Sequence, residues 1–126
     1  MERLFWICLA GGLGTGARHV VSLWAARQFG TTFPYGTLLV NLIGCFAIAV
    51  VMHSASVLVA SPTARTALAV GLLGGLTTYS SFNYETMRLV QEGAVAAAFL
   101  NVALTTVGGF MAGFGGLLAG RALVGQ

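Results

Sequence analysis

Asn41 stands inside an otherwise apolar run, Tyr35-Gly36-Thr37-Leu38-Leu39-Val40-Asn41-Leu42-Ile43-Gly44. Its amide offers two donors and an acceptor, so it can tie two helices together or meet a small ion. A denser polar group follows at Gly74-Gly75-Leu76-Thr77-Thr78-Tyr79-Ser80-Ser81-Phe82-Asn83, with two glycines and six polar residues among apolar neighbours. Paired glycines weaken a helix, and a break is expected here. A break frees backbone carbonyls, which are hard oxygen ligands for a small cation. The hydroxyls offer donors to an anion, and a kink satisfied by its own Ser and Thr side chains is the third reading. Glu85 is either a proton-coupling carboxylate or the partner of Arg88, three residues on. Asn101 and Thr105 lie four apart on one helical face that Gly109 continues, which makes a short polar track or a set of inter-helix hydrogen bonds. Thr106 points elsewhere.

The elements that must hold these groups are read from hydropathy. Of 126 residues, 57% are hydrophobic and 7% charged, against about 25% charged in an ordinary soluble domain. Mean hydropathy is +0.89. A membrane helix needs about 20 mostly apolar residues, and residues 4–24, 35–59, 66–90 and 94–120 qualify. Short connections leave room for a single domain over residues 1–126. The expected fold is therefore an all-α membrane protein of four transmembrane helices, the third broken mid-membrane. Non-helical backbone at that depth is tolerated where it is buried in protein or lines a cavity. The first helix is read as retained rather than cleaved as a signal peptide, because Arg18 follows the small residues closely.

The charges exclude other classes. All six basic residues are Arg, and the acids are Glu2, Glu85 and Glu92. A pI near 9.4 comes from scattered arginines that form no stripe for nucleic acid. Four spans put Arg3, Arg65 and Arg121 on one side and Arg18, Arg27 and Arg88 on the other. That tie leaves the positive-inside rule without a preference and fits insertion in both orientations. Cys8 and Cys45 lie in apolar runs without metal-ligand spacing and read as small hydrophobes. Glycines at Gly12/Gly16, Gly71/Gly75, Gly109/Gly113 and Gly116/Gly120 have the spacing that lets membrane helices approach closely. The run Gly11-Gly12-Leu13-Gly14-Thr15-Gly16 is not a dinucleotide loop, since no strand precedes it and the next acid after Glu2 is Glu85.

With Ala17 and Arg18, that run resembles the first helix of the Fluc/CrcB family of fluoride channels. The Tyr35–Gly44 run and Gly71-Leu72-Leu73-Gly74-Gly75-Leu76-Thr77-Thr78-Tyr79-Ser80-Ser81-Phe82, ending in Glu85-Thr86, extend the likeness over nearly the whole chain. The resemblance implies a fluoride-specific channel, not an enzyme, that lowers cytoplasmic fluoride by passive efflux across the cell inner membrane. It implies an antiparallel, dual-topology homodimer, and a structural Na⁺ at its centre held by the carbonyls of Gly74 and Thr77. By motif position, the fluoride path falls on Asn41, Tyr79, Ser80, Ser81, Phe82, Asn101 and Thr105, with Arg18 at a vestibule. Neutral donors can replace the water of a small, strongly hydrated anion, and aromatic edges are positive. Three positions depart from the family pattern. Tyr79 stands where Phe is usual, Asn101 where an aromatic hydroxyl is common, and Gly109 where a hydroxyl is common. The competing class is a proton-coupled small multidrug transporter, which relies on a membrane-embedded Glu in the first helix, whereas here no acid occurs between Glu2 and Glu85. A purely structural membrane subunit would not account for the concentrated polar break.

Overall fold

A computed structural model describes residues 1–126. Three long helices account for most of it: α1 (Glu2–Phe29), α2 (Tyr35–Leu58) and α6 (Val95–Val124). All three are long and apolar enough to cross a membrane; at 1.5 Å per residue, even α2 extends about 36 Å. α1 runs through Arg18 and His19 and ends at Gly30, whose φ of 83° suits glycine. It therefore continues past the expected end near Trp24, and Arg18 sits in its interior rather than near its end. Gly93, at φ 79°, makes the corresponding turn before α6.

The third apolar segment is divided. It begins as α3 (Pro62–Thr66), with Ser61 capping its N-terminus by accepting from the Ala64 N–H. It widens into a π-helical stretch over Ala67–Leu73 and closes as a short α4 (Gly74–Leu76). Thr77 (ψ 155°) and Thr78 (φ −153°, ψ 117°) are extended, and α5 (Tyr79–Gln91) starts afresh beyond them. The break expected from the glycine pair thus lies at Thr77-Thr78. Both residues are β-branched and favour extended backbone. The Thr78 hydroxyl caps α5 by accepting from the Ser81 N–H at 3.2 Å.

Packing rests on small residues. α1 lies against the π-helical stretch and α4, and α2 lies along α6. A Cβ on Gly75 would press on the Gly11 carbonyl, and one on Gly14 on the Leu72 carbonyl. Gly116 meets the Phe46 backbone in the same way, and Gly120 meets His53. Within one chain, neither Gly12 nor Gly16 has a neighbour within 4 Å. The close approach on α1 is made instead by Gly11 and Gly14, on the opposite side of the helix.

Only 19 of the 126 residues are buried, while Phe99, Phe110, Met111 and Phe114 are each more than 60% exposed. So much apolar surface is stable only against lipid or another apolar surface. Together with the three long apolar helices, it marks a membrane protein.

Candidate functional site

The site grows from the break. In a continuous helix the Thr78 N–H would bond the Gly74 carbonyl, and the Ser81 N–H the Thr77 carbonyl. Here Thr78 N–H donates to Asn41 Oδ1 at 2.8 Å, and Ser81 N–H donates to Thr78 Oγ1. Both carbonyls expected to serve as cation ligands therefore lose their helical donors. Asn41 Nδ2 also donates to the Thr78 carbonyl at 3.0 Å. A backbone N–H can only donate and a carbonyl only accept, so the pair fixes which way the amide points. One Nδ2 hydrogen remains for another acceptor.

Beside this clasp lies a cavity of about 320 Å³ lined by Asn41, Gly44, Thr77, Tyr79, Phe82 and Thr105, among others. It can form because Gly44 has no side chain: a Cβ there would strike the Thr77 methyl. The rings of Tyr79 and Phe82 meet edge to face, 5.6 Å apart between centroids. Phe82 is buried and Tyr79 is exposed at the surface of the chain. Thr105 Oγ1 is buried without a hydrogen-bond partner, an unmet donor on the cavity wall.

On the other side of Thr78 is a second cavity of about 390 Å³ with no hydrophobic residue in its wall. Thr15, Arg18, His19 and Ser22 of α1 face Thr37 of α2 and Thr78, Ser81 and Glu85 of the broken segment. Arg18 Nε donates to the Gly75 carbonyl at 3.1 Å, tying α1 to α4. Thr37 Oγ1 donates to Glu85 Oε1 at 2.9 Å.

The expected residues are therefore sorted rather than gathered. Asn41, Tyr79, Phe82 and Thr105 share the first cavity, with Gly74 and Thr77 on the same wall. Ser81 and Arg18 face the second cavity. Ser80 is exposed, with its hydroxyl 3.3 Å from Thr78 Oγ1. Asn101 lies in neither cavity. It is fully buried, and its Nδ2 donates to Thr86 Oγ1 at 2.9 Å, which in turn donates to the Phe82 carbonyl at 2.7 Å. Of the two readings of Asn101 and Thr105, the inter-helix bond holds for the first and the open donor for the second. The expected Glu85–Arg88 pair does not form either: Glu85 is taken by Thr37, and Arg88 lies 3.7 Å from Glu92.

Sequence reasoning missed Thr37, Thr78 and the polar face of α1. A signal was present for that face, because Thr15, Arg18, His19 and Ser22 follow the i, i+3, i+4, i+7 spacing of one helical stripe.

Residues 5–117 match the family described as CrcB-like protein, Camphor Resistance (CrcB). The chain belongs to the CrcB family. Among its relatives, a protein of Anaeromyxobacter sp. (strain K) is 49% identical over 99% of this chain and 100% of its own length. One from Sorangium cellulosum (strain So ce56) is 46% identical over 98% of both chains. One from Geobacter sp. (strain M21) is 46% identical over 98% of this chain and 100% of its own. Each of the three bears the name fluoride-specific ion channel FluC. The CrcB resemblance read from the helix-one, helix-two and break motifs is borne out along the length of the chain. The three relatives are named as ion channels, not as enzymes.

Proposed function

We propose that this chain is one subunit of a fluoride-specific channel and that fluoride leaves through it passively, down its electrochemical gradient. The observation that carries the reading is the cavity wall where Asn41, the unpartnered Thr105 hydroxyl and the Phe82 ring stand together with no charged side chain. Fluoride is small and holds water tightly, so a path must offer fixed donors in exchange. Neutral donors and ring edges do this without the deep binding that a full positive charge would cause. Arg18 is held apart from that wall, in the neighbouring polar cavity, where it adds positive potential.

A single chain leaves Tyr79 and the aromatic face of α6 uncovered. The reading therefore includes an antiparallel homodimer inserted in both orientations, with the broken segment as the third span and the cell inner membrane as its location. A structural Na⁺ belongs to the same reading. The Gly74 and Thr77 carbonyls are neutral, hard oxygens released from the helical ladder, which suits such an ion. When bound, it would supply positive charge at the break; Asn41 and the Thr78 cap hold the backbone open for it.

The deciding measurement is fluoride release from liposomes containing the purified protein in Na⁺ buffer. Fast, electrogenic release of fluoride with little chloride supports the channel. Silence overturns it.

A further inference from the structure

The cavities form a chain that reaches a helix end. The ring-lined cavity and the polar cavity share Thr78 in their walls. The polar cavity in turn shares Ser22, Thr37 and Glu85 with a third, of about 150 Å³. This outer cavity lies under the connection between α1 and α2, lined by Gly30, Thr31 and Pro34, and by Arg88 from α5. Gly30 ends α1 and Pro34 precedes α2, so the outer cavity lies where the two long helices stop.

Two buried atoms of residues lining it have no hydrogen-bond partner: Glu85 Oε2 and Arg88 Nε. Arg88 is otherwise loosely held. Its Nη2 donates to the Thr31 carbonyl at 3.4 Å, and its Nε stands 3.7 Å from Glu92 Oε1, beyond hydrogen-bonding distance. Glu92 is thus an ion-pair partner of Arg88, but no carboxylate hydrogen-bonds the fork of the guanidinium, whose donors can still receive an acceptor from the cavity.

We propose that Arg88 is the residue at which an anion is first collected, at the outer end of this chain of cavities, and that Glu85 is the counter-charge that keeps it from settling there. The inference rests on the fluoride-channel reading. An anion leaving water for a protein interior meets a large desolvation cost, and a cation at the threshold offsets part of it. A lone Arg would hold the anion too long for conduction. Glu85, three residues before Arg88 on α5, and Glu92, four after at the C-cap of α5, lie on the side of Arg88 and reduce its pull. Arg18, whose Nε is committed to Gly75, stands deeper. The two arginines thus bracket the polar cavity.

The test compares wild type, Arg88→Gln and Arg88→Lys in liposomes, reading initial fluoride efflux at low fluoride. Ionic strength is set at about 10 mM or about 300 mM with the salt of an impermeant organic anion. Collection by charge is screened as the Debye length falls from about 30 Å to well under 10 Å. Wild-type efflux should therefore fall as salt rises. Arg88→Gln should lose about three- to tenfold at low salt and much less at high salt, while Arg88→Lys stays near wild type. Salt-insensitive wild-type efflux overturns the proposal, as does wild-type efflux from Arg88→Gln at low salt. Equal losses in both variants at both salts also overturn it, leaving Arg88 as a brace for the Thr31 backbone. A silent wild type is a different failure: it removes the channel reading itself, and this inference with it, before any variant is compared.

Discussion

The side chain of Asn41 closes two hydrogen bonds on the backbone of Thr78, donating to its carbonyl at 3.0 Å and accepting from its N–H at 2.8 Å. The two residues are 37 apart in sequence. Through this clasp, α2 replaces the helical partners that the break removes, and the polar residue in the apolar run finds its reason. It is at once a tie between elements and a wall of the cavity. The two readings open from sequence are one structure.

Asn41→Asp should abolish fluoride release while the protein still elutes as the assembled species. The carboxylate cannot donate to the Thr78 carbonyl and sets two oxygens against each other. Wild-type release from this variant would remove Asn41 from the mechanism.

Phe82→Ile should also abolish release, because a branched aliphatic chain has no positive ring edge to offer an anion. Tyr79→Phe should release fluoride at the wild-type rate, since its ring edge is retained. A marked slowing of Tyr79→Phe would show that the phenolic hydroxyl contributes a donor.

Thr105 and Asn101 should separate cleanly. Thr105→Val removes a buried hydroxyl that has no partner, so thermal stability should hold or rise while fluoride release falls. Asn101→Ala breaks the buried bond to Thr86 and should cost about 1–3 kcal/mol of stability, with release from the assembled fraction preserved. The reverse pattern in either variant would reassign that residue.

Gly75→Ala should destabilise the chain by about 1–3 kcal/mol, because the new methyl meets the Gly11 carbonyl and lies 3.1 Å from the Thr15 nitrogen. Gly12→Ala has open space and should be neutral or slightly stabilising from helix propensity alone. Thermal denaturation of both in detergent reads the difference; equal midpoints would show that α1 does not seat on Gly75.

Replacing Na⁺ by a large organic cation should suppress release and lower the denaturation midpoint together, since a ligand that binds only the folded form stabilises it. A correctly assembled protein that conducts equally well without Na⁺ would falsify the ion assignment at Gly74 and Thr77.

Much of this protein was legible in the order of its residues. Low charge and long apolar runs determine helices in a membrane, because unpaired backbone cannot stand in hydrocarbon. Gly74-Gly75 followed by Thr77-Thr78 determines a break, because glycine weakens a helix and threonine both favours extended backbone and caps the next helix. The family motifs reach this far and agree. Which polar group meets which was not legible. Asn101 and Thr105 occupy one helical face by spacing, yet α5 offers the first the Thr86 hydroxyl and leaves the second facing a cavity beside Tyr79 and Phe82. Glu85 stands three residues from Arg88 but is taken by Thr37, from a helix that sequence spacing cannot place. Gly12 and Gly16 have the packing spacing but meet nothing within the chain, while Gly11 and Gly14 seat the helix. Periodicity determines which residues share a face; only the packing of helices decides what that face meets.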